Sequence, residues 1–225
     1  MCSHAYDSQF RKIPFYESHQ YMLPFVGINY ESLKHKKLLL VGESHYVRGD
    51  TKVHLDVDAW YNGSAVLEEE DCDYCNTRNA RLFGYGNFIE PIENDLEKIF
   101  PSGINEIASY NYFLRPANKG KSFREICTKK DREFAVRNFH NILEILSPDL
   151  IVFAGVFAFD SAEWKDYPIY FGEYLWDYTK RKKIEYLPCN HPSRGEWTQP
   201  IRRGGMAGRN NSQVFLEFLQ KNWMK

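Results

Sequence analysis

Residues 38–46 read LLLVGESHY. A continuous apolar run ends abruptly in Gly42, Glu43, Ser44 and His45. Residues 37–41 therefore predict a strand buried on both faces, as in a parallel sheet. Residues 187–195, LPCNHPSRG, have the same form and run into His191, Pro192 and Ser193. Between them, residues 107–117, IASYNYFLRPA, carry Asn111 and then Arg115-Pro116. In an open α/β sheet, ligands bind just past the carboxyl ends of the strands. Glu43, His45, Asn111 and His191 are therefore candidates for one shared cleft.

Outward from these segments, strand and helix patterns alternate. Residues 89–100 have helical spacing, with Ile92, Leu96 and Ile99 on one face, and Pro101-Ser102-Gly103 ends the pattern. Residues 106–112 predict a second strand and 116–121 a turn-rich loop. Residues 131–146 predict an amphipathic helix with Phe134, Phe139, Ile142, Leu143 and Leu146 toward the core, stopped by Ser147-Pro148. Residues 150–154 are a third strand, followed by Gly155 and a helix start; 184–188 are a fourth, and 214–223 a closing helix. This alternation predicts an α/β fold, a three-layer α/β/α sandwich on a short four-stranded parallel sheet. Residues 1–36 read as an N-terminal extension with a short helix at 30–36, and the polar, acidic residues 47–79 as an irregular insertion, within a single domain spanning 1–225.

A chain of 225 residues is long enough to bury one substantial core. Its formal charge of −1 excludes a general polycation, so any nucleic-acid contact has to be a local patch. No apolar run approaches the roughly 18 to 20 residues of a membrane span. The opening MCSHAYDSQFRK lacks the apolar region of a signal peptide. Five scattered cysteines fit a reducing compartment better than a disulfide framework. The expectation is a cytoplasmic monomer without membrane contact.

Gly42-Glu43, Arg81-Leu82-Phe83, Asn111 with Arg115-Pro116, SPDLIVFAG at 147–155 and His191-Pro192-Ser193 follow one another in a characteristic order. That order resembles the uracil-DNA glycosylase superfamily, nearest to the branch whose members often carry an iron–sulfur cluster. The resemblance runs from about residue 37 to the C-terminus. It implies hydrolysis of the N-glycosidic bond of uracil, or of another deaminated or damaged base, by a monofunctional DNA glycosylase. Tyr46 matches a tyrosine that walls the base pocket in some branches. The chain departs from the family in three ways. Ser44 stands where many members have a water-positioning Asp, His45 stands where Pro is common, and about thirty extra residues precede Phe83. The cluster ligands also depart: Cys72 and Cys75 follow the first strand instead of preceding it, Leu114 replaces a third cysteine, and Cys127 alone is well placed. We therefore expect no cluster and no other cofactor, and the spacing nominates no ligand set for zinc.

The chemistry also follows from the residue types. Base excision needs a pocket for the extruded base, a donor facing the anionic leaving base, and a positioned water. Asn111 offers donor and acceptor together to a uracil edge. His191 can donate to a carbonyl of the leaving base, and Glu43 can orient water or stabilise positive charge on the sugar. Phe83 supplies a stacking face, with Tyr46, Ser44 and His45 as further pocket lining. Arg115 and Ser193 are expected to hold phosphates. The stretch 194–209, RGEWTQPIRRGGMAGR, is the main DNA-binding candidate through Arg194, Arg202, Arg203 and Arg209. Trp197, Ile201 or Met206 is then available as a wedge, and KRKK at 180–183 adds positive field. Two alternatives stand beside this reading. Gly42-Glu43-Ser44-His45 is also similar to the Gly-Glu-x-His start of erythromycin-esterase-like enzymes, which would use His45 and Glu43 on a small ester. Ser44 in place of an acid also fits a member that binds nucleic acid or a nucleotide without excising a base.

Overall fold

The computed structural model describes residues 1–84, 88–162, 169–171, 175–177, 182–192, 197–201 and 208–225. Its strands are β1 (Phe25–Val26), β2 (Leu38–Val47), β3 (Ala108–Asn118), β4 (Leu150–Ala154), β5 (Ile169–Phe171), β6 (Leu175–Asp177) and β7 (Lys182–Cys189). The central sheet is mixed and five-stranded, in the order β1-β3-β2-β4-β7. Strands β3, β2, β4 and β7 are mutually parallel, and β1 pairs antiparallel with β3 at one edge. The β5–β6 hairpin continues the sheet antiparallel beyond β7. The expected four-stranded parallel sheet is thus the middle of a wider mixed one. Strands of two and three residues are too short to show alternation in a sequence.

The helices are α1 (Asp7–Phe10), α2 (Phe15–Ser18), α3 (Val57–Asn62), α4 (Glu69–Tyr74), α5 (Thr77–Leu82), α6 (Glu90–Glu97), α7 (Lys129–Leu146), α8 (Val156–Ala162) and α9 (Asn211–Asn222). Strand alternation sorts the sheet side chains into two cores. Leu39, Val41, Ile151 and Phe153 meet α7 and α8 through Phe139, Ile142 and Phe157. Leu38, Leu40, Leu150 and Val152 meet α6 and α9 through Ile92, Leu96, Phe215 and Leu219. Two strong caps fix the longer helices: Thr128 with Asp131 opens α7, and Asn210 with Gln213 opens α9. Ser147 at φ 48° closes α7 in the left-handed region, where the sequence places its stop.

Three expectations need correction. Residues 30–36 form turns and not a helix. Their backbone is drawn to the C-terminus instead: Lys36 N–H donates to Trp223 O, and Trp223 Nε1 donates back to Lys36 O, each at 2.8 Å. Residues 47–79 are largely helical. The polar residues that made them look irregular are caps, with Asp56 accepting from Ala59 N–H and Asn76 from Asn79 N–H. Finally, β2 and β3 run well past the points where their apolar runs stop, to Val47 and Asn118. They form a two-stranded ribbon beyond the ends of β4 and β7. Its register shifts between Ser44↔Phe113 and Tyr46↔Ala117, and Pro116 is accommodated in that bulge.

The bulge turns Arg115 into the protein, where the sequence predicts a phosphate contact. Arg115 is 1% exposed and pairs with fully buried Asp131, Nε and Nη2 donating at 2.7 Å each. The carbonyls of His54 and Ile126 take further guanidinium donors, and Tyr61 Oη donates to Asp131. Burial pushes the Asp131 carboxyl up, but bonds from Arg115, the Thr128 backbone and Tyr61 outweigh it, and the net shift is downward. Removing one partner leaves the other charge buried alone. Asp131→Asn is expected to cost about 3 to 5 kcal/mol in urea denaturation at neutral pH. The wild-type advantage is present above the ordinary carboxylate value of 3.8 and drains away as pH falls through the depressed folded value.

Candidate active site at the carboxyl edge of the sheet

Parallel register brings four residues abreast. Asn111 on β3 pairs with Gly42 on β2, Gly42 with Ala154 on β4, and Ala154 with Cys189 on β7. Glu43, Gly155 and His191 lie one or two residues further on. The chemistry-bearing segments named from the sequence therefore reach one edge of the sheet, the edge where β4 and β7 stop and the β2–β3 ribbon continues.

Alternation then separates them by face. Asn111 lies over Gly42: a Cβ added there would sit 2.2 Å from Asn111 Oδ1 and 3.2 Å from Phe88 Cζ. Only a glycine at position 42 leaves room for this amide. Glu43 points to the opposite face. A Cβ added at Gly155 would meet the Glu43 Cβ at 3.0 Å and its Oε2 at 3.2 Å, and the Glu43 charge is felt by Cys127. Asn111 and Glu43 thus flank the strand end from two sides, and do not share one wall as the sequence suggests.

The amide of Asn111 is held from both ends. Its Oδ1 accepts from Arg81 Nη2 at 2.9 Å, and its Nδ2 donates to the Ser44 carbonyl at 3.2 Å. These bonds fix which end is donor and which acceptor, and leave one N–H and one lone pair for a ligand. Ser44 contributes through its backbone; its buried hydroxyl has no hydrogen-bond partner among the described residues. Arg81 also donates through Nε to Ser109 Oγ at 2.9 Å, and its guanidinium lies 4.5 Å from the centre of the Phe88 ring. The other neighbour of Phe88 is His191, with ring centroids 5.2 Å apart. Phe88 therefore links the Asn111–Arg81 end of the site to His191.

Arg81 and Phe88 stand beside Asn111 and His191 at this edge, and the sequence alone nominates neither for the site. Phe83 is 65% exposed at the end of α5, whereas Phe88 lies between Arg81 and His191. His45 lies close enough to Arg81 to feel its charge. It is 5% exposed, and burial, then the charge of Arg81, lowers its pKa to about 3, so the ring is neutral and sealed. Tyr46 packs against the core on the α7 side and accepts the Cys75 thiol on its carbonyl.

The expected DNA surface is described in part. Ser193, Arg194, Arg202, Arg203 and Met206 lie outside the described residues. Among the described residues of this stretch, Ile201 N–H donates to Arg209 O at 2.6 Å, and Pro200 forms a bridge with Asn210. Arg209 pairs with Glu217 on α9, which offsets its charge. Trp197 is not a wedge: it is 2% exposed, and its Nε1 donates to buried Asp95 at 2.7 Å. Ile201 packs against the α6–α9 core.

The thiols of Cys72 and Cys75 donate to the backbone carbonyls of Leu67 and Tyr46. Among the described residues, no three His, Cys, Asp or Glu side chains gather in a way that could hold a metal ion. No described helix is long and apolar enough to cross a membrane. In comparisons with known proteins, no family model matches the chain and no curated protein is significantly similar to it.

The close fit over Gly42 gives a direct test of this geometry. Gly42→Ala is expected to push the Asn111 amide off Arg81 and to cost about 1 to 3 kcal/mol. The Asn111 side-chain NH₂ resonances should shift strongly in the variant; unchanged resonances would mean the amide is not seated there.

Proposed function

We propose that the protein is a DNA glycosylase-like hydrolase that removes uracil or another deaminated or damaged base from DNA. The observation that carries this reading is the Asn111 amide, fixed in orientation by Arg81 and the Ser44 carbonyl at the carboxyl edge of a parallel sheet. A fixed amide with one donor and one acceptor still available is suited to an edge that presents a carbonyl beside a ring N–H. Phe88 offers an aromatic wall next to it, and His191 adjoins that wall. His191 is assigned to the leaving base, where a donor stabilises charge that exists only near the transition state. Glu43, on the other side of the strand end, is assigned to the water or to the positive charge on the sugar. Phosphate contacts fall to the loop around 194–209 and not to Arg115, whose charge is spent on Asp131.

The esterase-like alternative loses its support, because the buried, neutral His45 is not placed to shuttle protons at a substrate. A binding protein without excision keeps some support. Glu43 and Asn111 lie on opposite faces, and Ser44 brings no second acid.

Cleavage of oligonucleotides carrying a single uracil or hypoxanthine, followed by alkali, separates these readings. His191→Ala is expected to lower excision about a hundredfold while leaving affinity for an abasic product nearly intact. Asn111→Asp should lose uracil selectively, because a carboxylate repels the carbonyl that the amide NH₂ binds. If wild-type protein binds lesion DNA and excises nothing, the non-catalytic reading replaces this one.

A further inference from the structure

Arg81 is a buried cation whose charge the fold itself does not use. It is 4% exposed, and among the described residues no carboxylate pairs with it. Its protein partners are all neutral: Ser109 Oγ, Asn111 Oδ1 and the face of the Phe88 ring. A prop for Asn111 needs only a neutral donor, whereas burying an unpaired charge costs several kcal/mol. Such a cost is characteristic of a site whose counter-charge arrives with the ligand. Elsewhere the same protein pairs its buried cation with a carboxylate, as in Arg115–Asp131.

We propose that Arg81 sets the substrate class of the site, selecting bases that carry ring carbonyl oxygens over bases that carry exocyclic amines. The proposal rests on the base-excision reading above. A guanidinium has five N–H donors and no acceptor. Nε and Nη2 each hold one protein partner, so among the described residues both N–H groups of Nη1 and the second of Nη2 remain for a ligand. A carbonyl of uracil or hypoxanthine satisfies such a donor. The amine of cytosine or adenine meets donor with donor and leaves both unpaired, a mismatch that sites built for hydrogen bonding reject strongly. Burial lowers the Arg81 pKa to about 9, which still leaves it charged at neutral pH. The neutral state of His45 adds no competing charge.

The same cation suits the chemical step. The C1′–N bond breaks with its electron pair passing to the base nitrogen and spreading onto the ring carbonyl oxygens. The oxygen of a water molecule bonds to C1′. One water proton stays on the new sugar hydroxyl and the other neutralises the base anion. Arg81 faces the oxygens on which that negative charge collects.

Free bases test this without requiring turnover. 5-Fluorouracil is close to uracil in size and loses its ring proton more readily. Its affinity for wild-type protein, read by calorimetry, is expected to rise as pH increases from neutral, within the range below the value of about 9 at which Arg81 is half deprotonated. Cytosine should bind at least about tenfold more weakly than uracil at neutral pH. Arg81→Lys, which keeps the charge, should retain the rise with pH; Arg81→Met should abolish it and narrow the gap between uracil and cytosine. Affinity that falls with pH, or a uracil preference intact in Arg81→Met, overturns the assignment while leaving the base pocket in place. Preference for oxo bases with no excision of any lesion supports the assignment and removes the hydrolytic reading. No binding of any free base by folded wild-type protein overturns both.

Discussion

The buried pair of Arg115 and Asp131 is the interaction on which most else depends. It joins the bulge of β3 to the first turn of α7, and through the His54 carbonyl and Tyr61 it ties both to the helical segment after β2. Asp131 is also half of the capping box that starts α7. One carboxylate thus satisfies a buried guanidinium, a helix terminus and a phenol together. The desolvation of two charges is offset by the two bonds between them and by the further bonds to the His54 and Ile126 carbonyls, Thr128 and Tyr61. The helical segment held down in this way ends in α5, and α5 delivers Arg81 to the sheet edge.

The second guanidinium has the opposite character. Arg115 is neutralised inside the fold, whereas Arg81 is brought to Asn111, Ser109 and Phe88 with no counter-ion among the described residues. The contrast is between an arginine neutralised within the fold and one held without a counter-ion, and it is this contrast that the proposal for Arg81 rests on. It also reverses the sequence-based assignment, which gave Arg115 to the phosphates and left Arg81 without a role. Gly42 belongs to the same arrangement, since its missing side chain is the space that the Asn111 amide occupies.

The four parallel strands, α6, α7 and α9 were legible because each is a long, strongly patterned stretch. β1 and the β5–β6 hairpin were not, because two or three residues carry no period. The helices after β2 were hidden by their own caps: Asp56, Asn76 and the acids of α4 read as loop when counted as composition, and as helix starts when placed. For the site, the register of strand ends was readable, and it brings Asn111 and the segment carrying His191 to one edge of the sheet. What was not readable was side-chain parity beyond the apolar runs, which sends Glu43 to the far face. Nor was the bulge that turns Arg115 inward readable, nor the reach of Phe88, which stands five residues beyond the exposed Phe83.

The central claim is that the Asn111–Arg81 pair at the carboxyl edge is where a base is read. Its most direct test is a side-chain NMR titration of isotope-labelled protein with a short uracil-containing oligonucleotide. The oligonucleotide would carry a non-hydrolysable sugar at the lesion, so that no turnover intervenes. The account predicts that the Asn111 NH₂ and Arg81 guanidinium resonances shift in step with binding, while those of Arg115 stay fixed. Saturable binding that leaves Asn111 and Arg81 unperturbed would contradict it.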